Sequence, residues 1–210
     1  VDLDLDSAVA ALRASDPKLG LLIERQGPCG LHVDGVQKPF EALAESIVYQ
    51  QLTGAVAAKI YGRLVALYGK KRLPDPQTVL ATEEAALRGA GLSRAKAAAI
   101  RDLAARTLDG TVPTLSRLER LEDDAIVERL TQVRGIGRWT VEMLLIFRLG
   151  RLDVLPATDY GVRKGFHSAF RTRGLPTPAQ VLRRGERWRP YRSVASWYLW
   201  RAADTKAGRA

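Results

Sequence analysis

A chain of 210 residues, 46% hydrophobic and 27% charged with both signs mixed, can bury one large core or two packed lobes and is too apolar for a disordered segment. One cysteine, Cys29, and two histidines, His32 and His167, exclude an internal disulfide and a four-cysteine iron–sulfur cluster, and leave too few ligands for a structural zinc or a catalytic transition metal. The net charge of +10 favours a polyanionic partner through counterion release, nucleic acid foremost.

The chain opens on VDLDLD, which lacks the basic and apolar regions of a secretion signal. No apolar run approaches the roughly 18 residues that span a bilayer. The expectation is a soluble cytoplasmic protein, nucleoid-associated if bacterial. Residues 31–37, LHVDGVQ, have strand or turn character, and nearly everything else reads as helix. Phe40, Leu43, Ile47 and Val48 follow helical spacing, as do Ile60, Leu64 and Leu67. Ser93 suits a helix N-cap, and 93–107 places Ile100, Leu103, Ala104 and Thr107 on one face. Asp123 suits a second N-cap. Pro74, Pro76, Gly89, Gly91, Gly110 and Pro113 punctuate the helices. Near the end Trp188, Tyr191, Val194, Ala195, Tyr198 and Leu199 form one helical stripe, and Arg and Lys crowd 163–192.

The most informative stretch is 130–147, LTQVRGIGRWTVEMLLIF. An amphipathic helix through Leu130 runs into Gly135-Ile136-Gly137, and a second helix begins near Arg138 or Trp139. Two glycines permit a tight turn and close backbone approach. The amides opening the second helix, with its dipole, suit a phosphate oxygen, while Ile136 points into the core. An ordinary turn between helices would explain a lone Gly-x-Gly. The whole string, however, resembles the helix–hairpin–helix DNA-binding motif. That resemblance implies DNA as the partner and a structural Na+ or K+ on the backbone carbonyls of Thr131, Val133 and Ile136.

After the hairpin comes LDVLPATDYGVRKGF. Pro156 forces an extended or turn segment, so Asp159 falls at the next helix N-terminus. Taken alone, an aspartate there is an N-cap. Paired with the hairpin, the segment resembles the helix–hairpin–helix DNA glycosylase superfamily, in which a Gly/Pro-rich loop leads to an essential aspartate. FEALAESIVYQQLTGAVAAKIYGRL at 40–64, GLSRAKAAAIRDLA at 91–104 and RWRPYRSVASWYLWR at 187–201 resemble the 3-methyladenine DNA glycosylase II branch. Coverage runs from about residue 38 to 201, and the 37 residues before it are too few for the β-rich extra domain of the best-known bacterial member.

The resemblance implies an all-α, two-lobed helix–hairpin–helix glycosylase fold. One lobe would span 39–151, the other 1–38 with 152–210, and the cleft would lie between them. The implied reaction is hydrolysis of the N-glycosidic bond of 3-methyladenine and related alkylated bases in double-stranded DNA, by a monomer without a catalytic cofactor. Asp159 would stabilise the oxocarbenium-like transition state, with Asp153 as the reserve. Bifunctional relatives carry a Schiff-base lysine where this chain has Trp139, so a monofunctional enzyme leaving an abasic site is implied. Trp139 and Trp200, with Met143, would form the base pocket, since an electron-deficient base stacks well on an aromatic face. In YQQLT, 49–53, Gln51 aligns with the wedge that replaces the flipped base, and Leu52 is the adjacent alternative; Gln50 and Gln51 could equally cap a helix end. Gly135, Ile136, Gly137 and Arg138, with Arg163 and Lys164, would hold the DNA backbone. The alternatives are a glycosylase of different lesion specificity, a non-catalytic hairpin module, and a structural helical protein with incidental charge.

Overall fold

The computed structural model describes residues 3–34, 38–70 and 72–204. All regular structure among them is helical: α1 (Leu5–Ser15), α2 (Pro17–Gln26), α3 (Pro39–Tyr49), α4 (Gly54–Ala66), α5 (Pro76–Ala81), α6 (Glu84–Gly89), α7 (Arg94–Leu108), α8 (Leu115–Leu118), α9 (Asp123–Leu130), α10 (Arg138–Phe147), α11 (Tyr160–Phe170), α12 (Pro178–Gly185) and α13 (Arg192–Asp204). Among the described residues no helix is long and apolar enough to cross a membrane. Leu31–Asp34 has no regular structure, and the rest of the strand-like stretch, 35–37, lies outside the described residues.

Local chemistry explains most boundaries. Ser93 caps α7 by accepting the Lys96 N–H at 3.2 Å, as its position predicts. Thr177 and Gln180 close a capping box on α12, with Pro178 at the first turn. Three expectations need correction. The N-cap of α9 is Glu122, and Asp123 lies inside the first turn, where its charge still complements the helix dipole. Leu67 is the C-cap of α4 and is 45% exposed, because the apolar face ends one turn earlier at Leu64. The terminal stripe is also broken. Trp188 sits in a 3-10 turn, and Pro190 cannot continue a helix, so α13 begins at Arg192.

The chain divides into two compact units, residues 1–35 with 145–210, and residues 36–144. In the first, α13 packs on α11 and α2. Its core includes Leu12, Ile23, Phe166, Phe170, Trp188, Val194 and Tyr198. Asp16 ties this unit together. Fully buried, it caps α2 by accepting the Lys18 and Leu19 N–H groups, pairs with Arg184 at 2.7 and 2.8 Å, and accepts Trp188 Nε1–H at 3.0 Å. Burial opposes its charge, but these donors outweigh burial and hold its pKa below the ordinary value. In the second unit α7 packs against α3, α5 and α6 around Leu43, Ile47, Val79, Leu87, Ile100 and Leu103.

Gly165 shows why α11 and α13 approach so closely. A Cβ built there would run into the backbone carbonyl of Leu199. Only a residue without a side chain lets the two backbones meet at this point.

Candidate active site

The carboxylate lies in the first unit. Pro156, Ala157 and Thr158 form a turn, closed by the Asp159 N–H on the Pro156 carbonyl at 2.9 Å, that delivers the chain to Asp159, which caps α11 with φ −62° and ψ 130°. Its Oδ1 accepts the Val162 N–H at 2.7 Å, an ordinary cap bond. The same oxygen accepts Trp200 Nε1–H at 2.8 Å. An isolated cap needs only the first. The second comes from the far end of the chain and fixes the carboxylate's direction. Asp159 remains half-buried, at the positive end of the α11 dipole.

Trp200 is held in turn. Its ring packs on Phe147 with centroids 5.6 Å apart. A Cβ at Gly161 would stand 2.8 Å from Trp200 Cδ1 and 3.1 Å from Asp159 Oδ1, so the glycine leaves room for both groups at once. Asp153 is differently placed. Its oxygens take Arg189 at 2.6 Å and Arg192 at 2.6 and 3.1 Å. Two guanidinium groups hold its oxygens, the geometry of a structural anchor.

The hairpin lies in the second unit. Gly135 adopts φ +79°, which a side chain rarely tolerates, and Ala99 Cβ would stand 3.3 Å from a Cβ there. Gly137 is different: a Cβ would meet nothing within 4 Å. The exposed backbone at Gly137 is open to approach from outside. Ile136 is buried at 4% exposure and anchors the turn as its position predicts. Arg138 is exposed and stands 3.7 Å from both Asp124 and Glu142.

Beside the hairpin is a cavity of about 650 Å3 lined by Tyr49, Gln50, Gln51, Leu52, Gly135, Gly137, Trp139 and Met143, among others. The indole of Trp139 is 46% exposed, high for so large an apolar ring. Here the fold brings together the hairpin, the two wedge candidates and two of the three predicted pocket residues. Trp200 belongs to the first unit, where its partners are Asp159, Phe147 and Gly161. Gln50 is the C-cap of α3, and Gln51 follows in a left-handed conformation, φ 58°. Both Gln51 and Leu52 are exposed.

The predicted phosphate contacts on α11 part company. Lys164 is exposed, whereas Arg163 is half-buried and its Nε donates to the Pro176 carbonyl at 2.7 Å. Among the described residues no group of three or more His, Cys, Asp or Glu side chains is arranged to hold a metal ion. Sequence reasoning missed Gly161, Phe147 and Gln50's link to the hairpin. Only the Gly two residues after Asp159 was a visible signal.

Residues 44–190 match the HhH-GPD superfamily of base excision DNA repair proteins. The chain is 38% identical over 167 residues to DNA-3-methyladenine glycosylase 1 of Schizosaccharomyces pombe, covering 80% of this chain and 73% of that protein. The structure of the S. pombe 3-methyladenine DNA glycosylase in complex with abasic DNA superposes with a TM-score of 0.82 at 35% identity, over 93% of this chain and 95% of that one. A DNA-3-methyladenine glycosidase from Bacillus halodurans gives a TM-score of 0.85 at 37% identity, over 94% and 89%.

Proposed function

The chain belongs to the HhH-GPD superfamily of base excision DNA repair proteins, and on that premise we propose that Asp159 drives hydrolysis of a glycosidic bond while Trp139 receives the released base. The protein is a monofunctional DNA glycosylase for alkylated bases. In this reading 3-methyladenine in duplex DNA is the leading substrate. The observation that carries the assignment is the doubly held Asp159 Oδ1, which takes an N–H from α11 and one from Trp200.

The chemistry follows from charge. Alkylation at a purine ring nitrogen makes the base cationic. When the C1′–N bond breaks, its electron pair moves onto the base, which leaves neutral, and positive charge develops on the sugar. A carboxylate already fixed in place stabilises that charge without reorganising. Water then adds to C1′ and gives up a proton, leaving an abasic site. No strong general acid is required, because the leaving group needs no further protonation. Trp139 has no amine with which to form a Schiff base, in keeping with hydrolysis alone.

The other roles follow the local geometry. Trp139, with Met143, offers an exposed aromatic face for an electron-deficient ring. Gln51 and Leu52, at the tip of an exposed turn, fill the gap left by the flipped nucleotide. The amides at Gly137 and Arg138, with Lys164, take phosphate oxygens. Trp200 acts first through Asp159, orienting it. A monovalent cation suits the carbonyls of Thr131, Val133 and Ile136: Val133's oxygen already accepts the Ile136 N–H at 3.1 Å, and a carbonyl keeps a second lone pair. Duplex affinity in potassium or sodium chloride should then exceed that in tetramethylammonium chloride at equal ionic strength. Equal affinities would remove the ion.

Release of free base from methylated duplex DNA, compared between the intact protein and Asp159→Asn, tests the central assignment. Release lost in the variant with duplex binding retained supports it, and release retained refutes it. Gly161→Ala probes the same site by shape. Its methyl would press on Trp200 and Asp159 together, so single-turnover release should slow about ten- to a hundredfold, the scale expected when a reacting group is displaced by about an ångström. An unchanged rate would show that the carboxylate tolerates displacement.

A further inference from the structure

One contact near the wedge turn has no part in the roles above. Lys96, on α7, extends its ammonium to two backbone carbonyls, Val48 and Gln50, both at 2.7 Å. These belong to the end of α3 and its cap, where a helix leaves carbonyls without intrahelical partners. A cation there also complements the negative end of the helix dipole. Burial pushes the Lys96 pKa down, so the two carbonyls compensate an ammonium taken partly out of water.

The next residue, Gln51, is one of only two non-glycine residues with positive φ among the described residues, at 58°. A side chain in that region is held by its surroundings rather than by its own preference. The same face of α7 also reaches the hairpin. Asp102 Oδ2 accepts the Arg134 N–H at 2.7 Å, and Ala99 packs where Gly135 has no Cβ. Lys96, Ala99 and Asp102 stand three residues apart, on one stripe of the helix. Gln50 Nε2 closes the arrangement by donating to the Gly135 carbonyl at 2.9 Å.

We infer that Lys96 is a positioning residue for base flipping: it holds the Gln50–Gln51 turn, in which Gln51 alone is left-handed, and so presets the wedge beside the hairpin. The inference rests on the reading of Gln51 and Leu52 as the wedge. Lys96 touches neither base nor sugar in this role. It acts through the turn, and α7 serves as the common strut for the wedge and the backbone grip.

The experiment uses the full chain and a duplex with a tetrahydrofuran abasic site opposite 2-aminopurine, whose fluorescence rises when an inserted side chain unstacks it. Lys96→Met keeps an apolar stem of similar length and removes all three donors. At protein concentrations that saturate binding by anisotropy, its insertion equilibrium should fall about tenfold or more, the scale of losing hydrogen bonds from a charged donor. Affinity for undamaged duplex and melting temperature should stay close to those of the intact protein. A full fluorescence rise in Lys96→Met overturns the inference. So does a loss that merely parallels loss of melting temperature and undamaged-duplex affinity, which would make Lys96 a stability residue. The double variant Gln51→Ala/Leu52→Ala separates the two levels. If it abolishes the rise while Lys96→Met does not, only the positioning role falls. If it leaves the rise intact, the wedge reading fails and the positioning role fails with it.

Discussion

Asp159→Asn should slow single-turnover base release by about a hundred- to a thousandfold, the usual cost of deleting one preorganised electrostatic contact to a transition state. The substitution is unusually clean here. Val162 N–H and Trp200 Nε1–H both bond to Oδ1, and an asparagine carbonyl oxygen in that position can accept both. The cap, the indole contact and the packing on Phe147 can all survive while the negative charge is lost. Melting temperature should therefore barely move. Duplex affinity should hold or rise, since removing an anion makes a chain of net charge +10 more favourable still towards the polyanion proposed as its partner. Asp159→Ala would be a poorer probe, because losing the cap adds about 0.5–2 kcal/mol of destabilisation. A rate within a few-fold of the intact protein for Asp159→Asn would move the chemistry to another group. It would not move to Asp153, whose oxygens are engaged by Arg189 and Arg192.

Gly165→Ala should be the most damaging single methyl in the first unit. Its Cβ would overlap the Leu199 carbonyl group, which is backbone and cannot rotate aside as a side chain can. Either α11 or α13 must shift. Overpacking of this kind costs about 1–3 kcal/mol and occasionally more. Taking about 3 kcal/mol, the melting temperature of a domain this size should drop by roughly 6–12 °C. The damage should reach activity as well, because Trp200 follows Leu199 and α11 starts at the Asp159 cap. Thermal unfolding and base release measured together decide the matter. A variant within about 2 °C of the intact protein would mean that the helices separate easily and that their close approach contributes little.

Much of this protein is written in short-range patterns. Gly135 and Ile136 could be read as a turn with a buried anchor because both properties depend on neighbours a few residues away, and the structure shows φ +79° at one and burial at the other. Ser93 as a cap and Asp159 at the head of a helix were legible for the same reason. Errors arose where two local signals competed. Asp123 and Glu122 are both able to begin α9, and Pro190 interrupts a stripe whose apolar spacing continues through it.

The long-range contacts are another matter. Nothing within a helical turn of Asp159 announces that Trp200, 41 residues on, will share its oxygen. Nor do the neighbours of Asp16 announce Arg184, 168 residues away, or those of Lys96 the carbonyl of Val48, 48 residues back. Sequence alone determined the helical class, the hairpin turn and an aspartate at the head of the helix that follows it, because caps, turns and apolar spacing are properties of adjacent residues. Tertiary structure alone decided which groups orient that carboxylate and which hold the Gln50–Gln51 turn. Those choices depend on where whole helices come to rest, and that is set by the burial of many side chains at once rather than by any one stretch of chain.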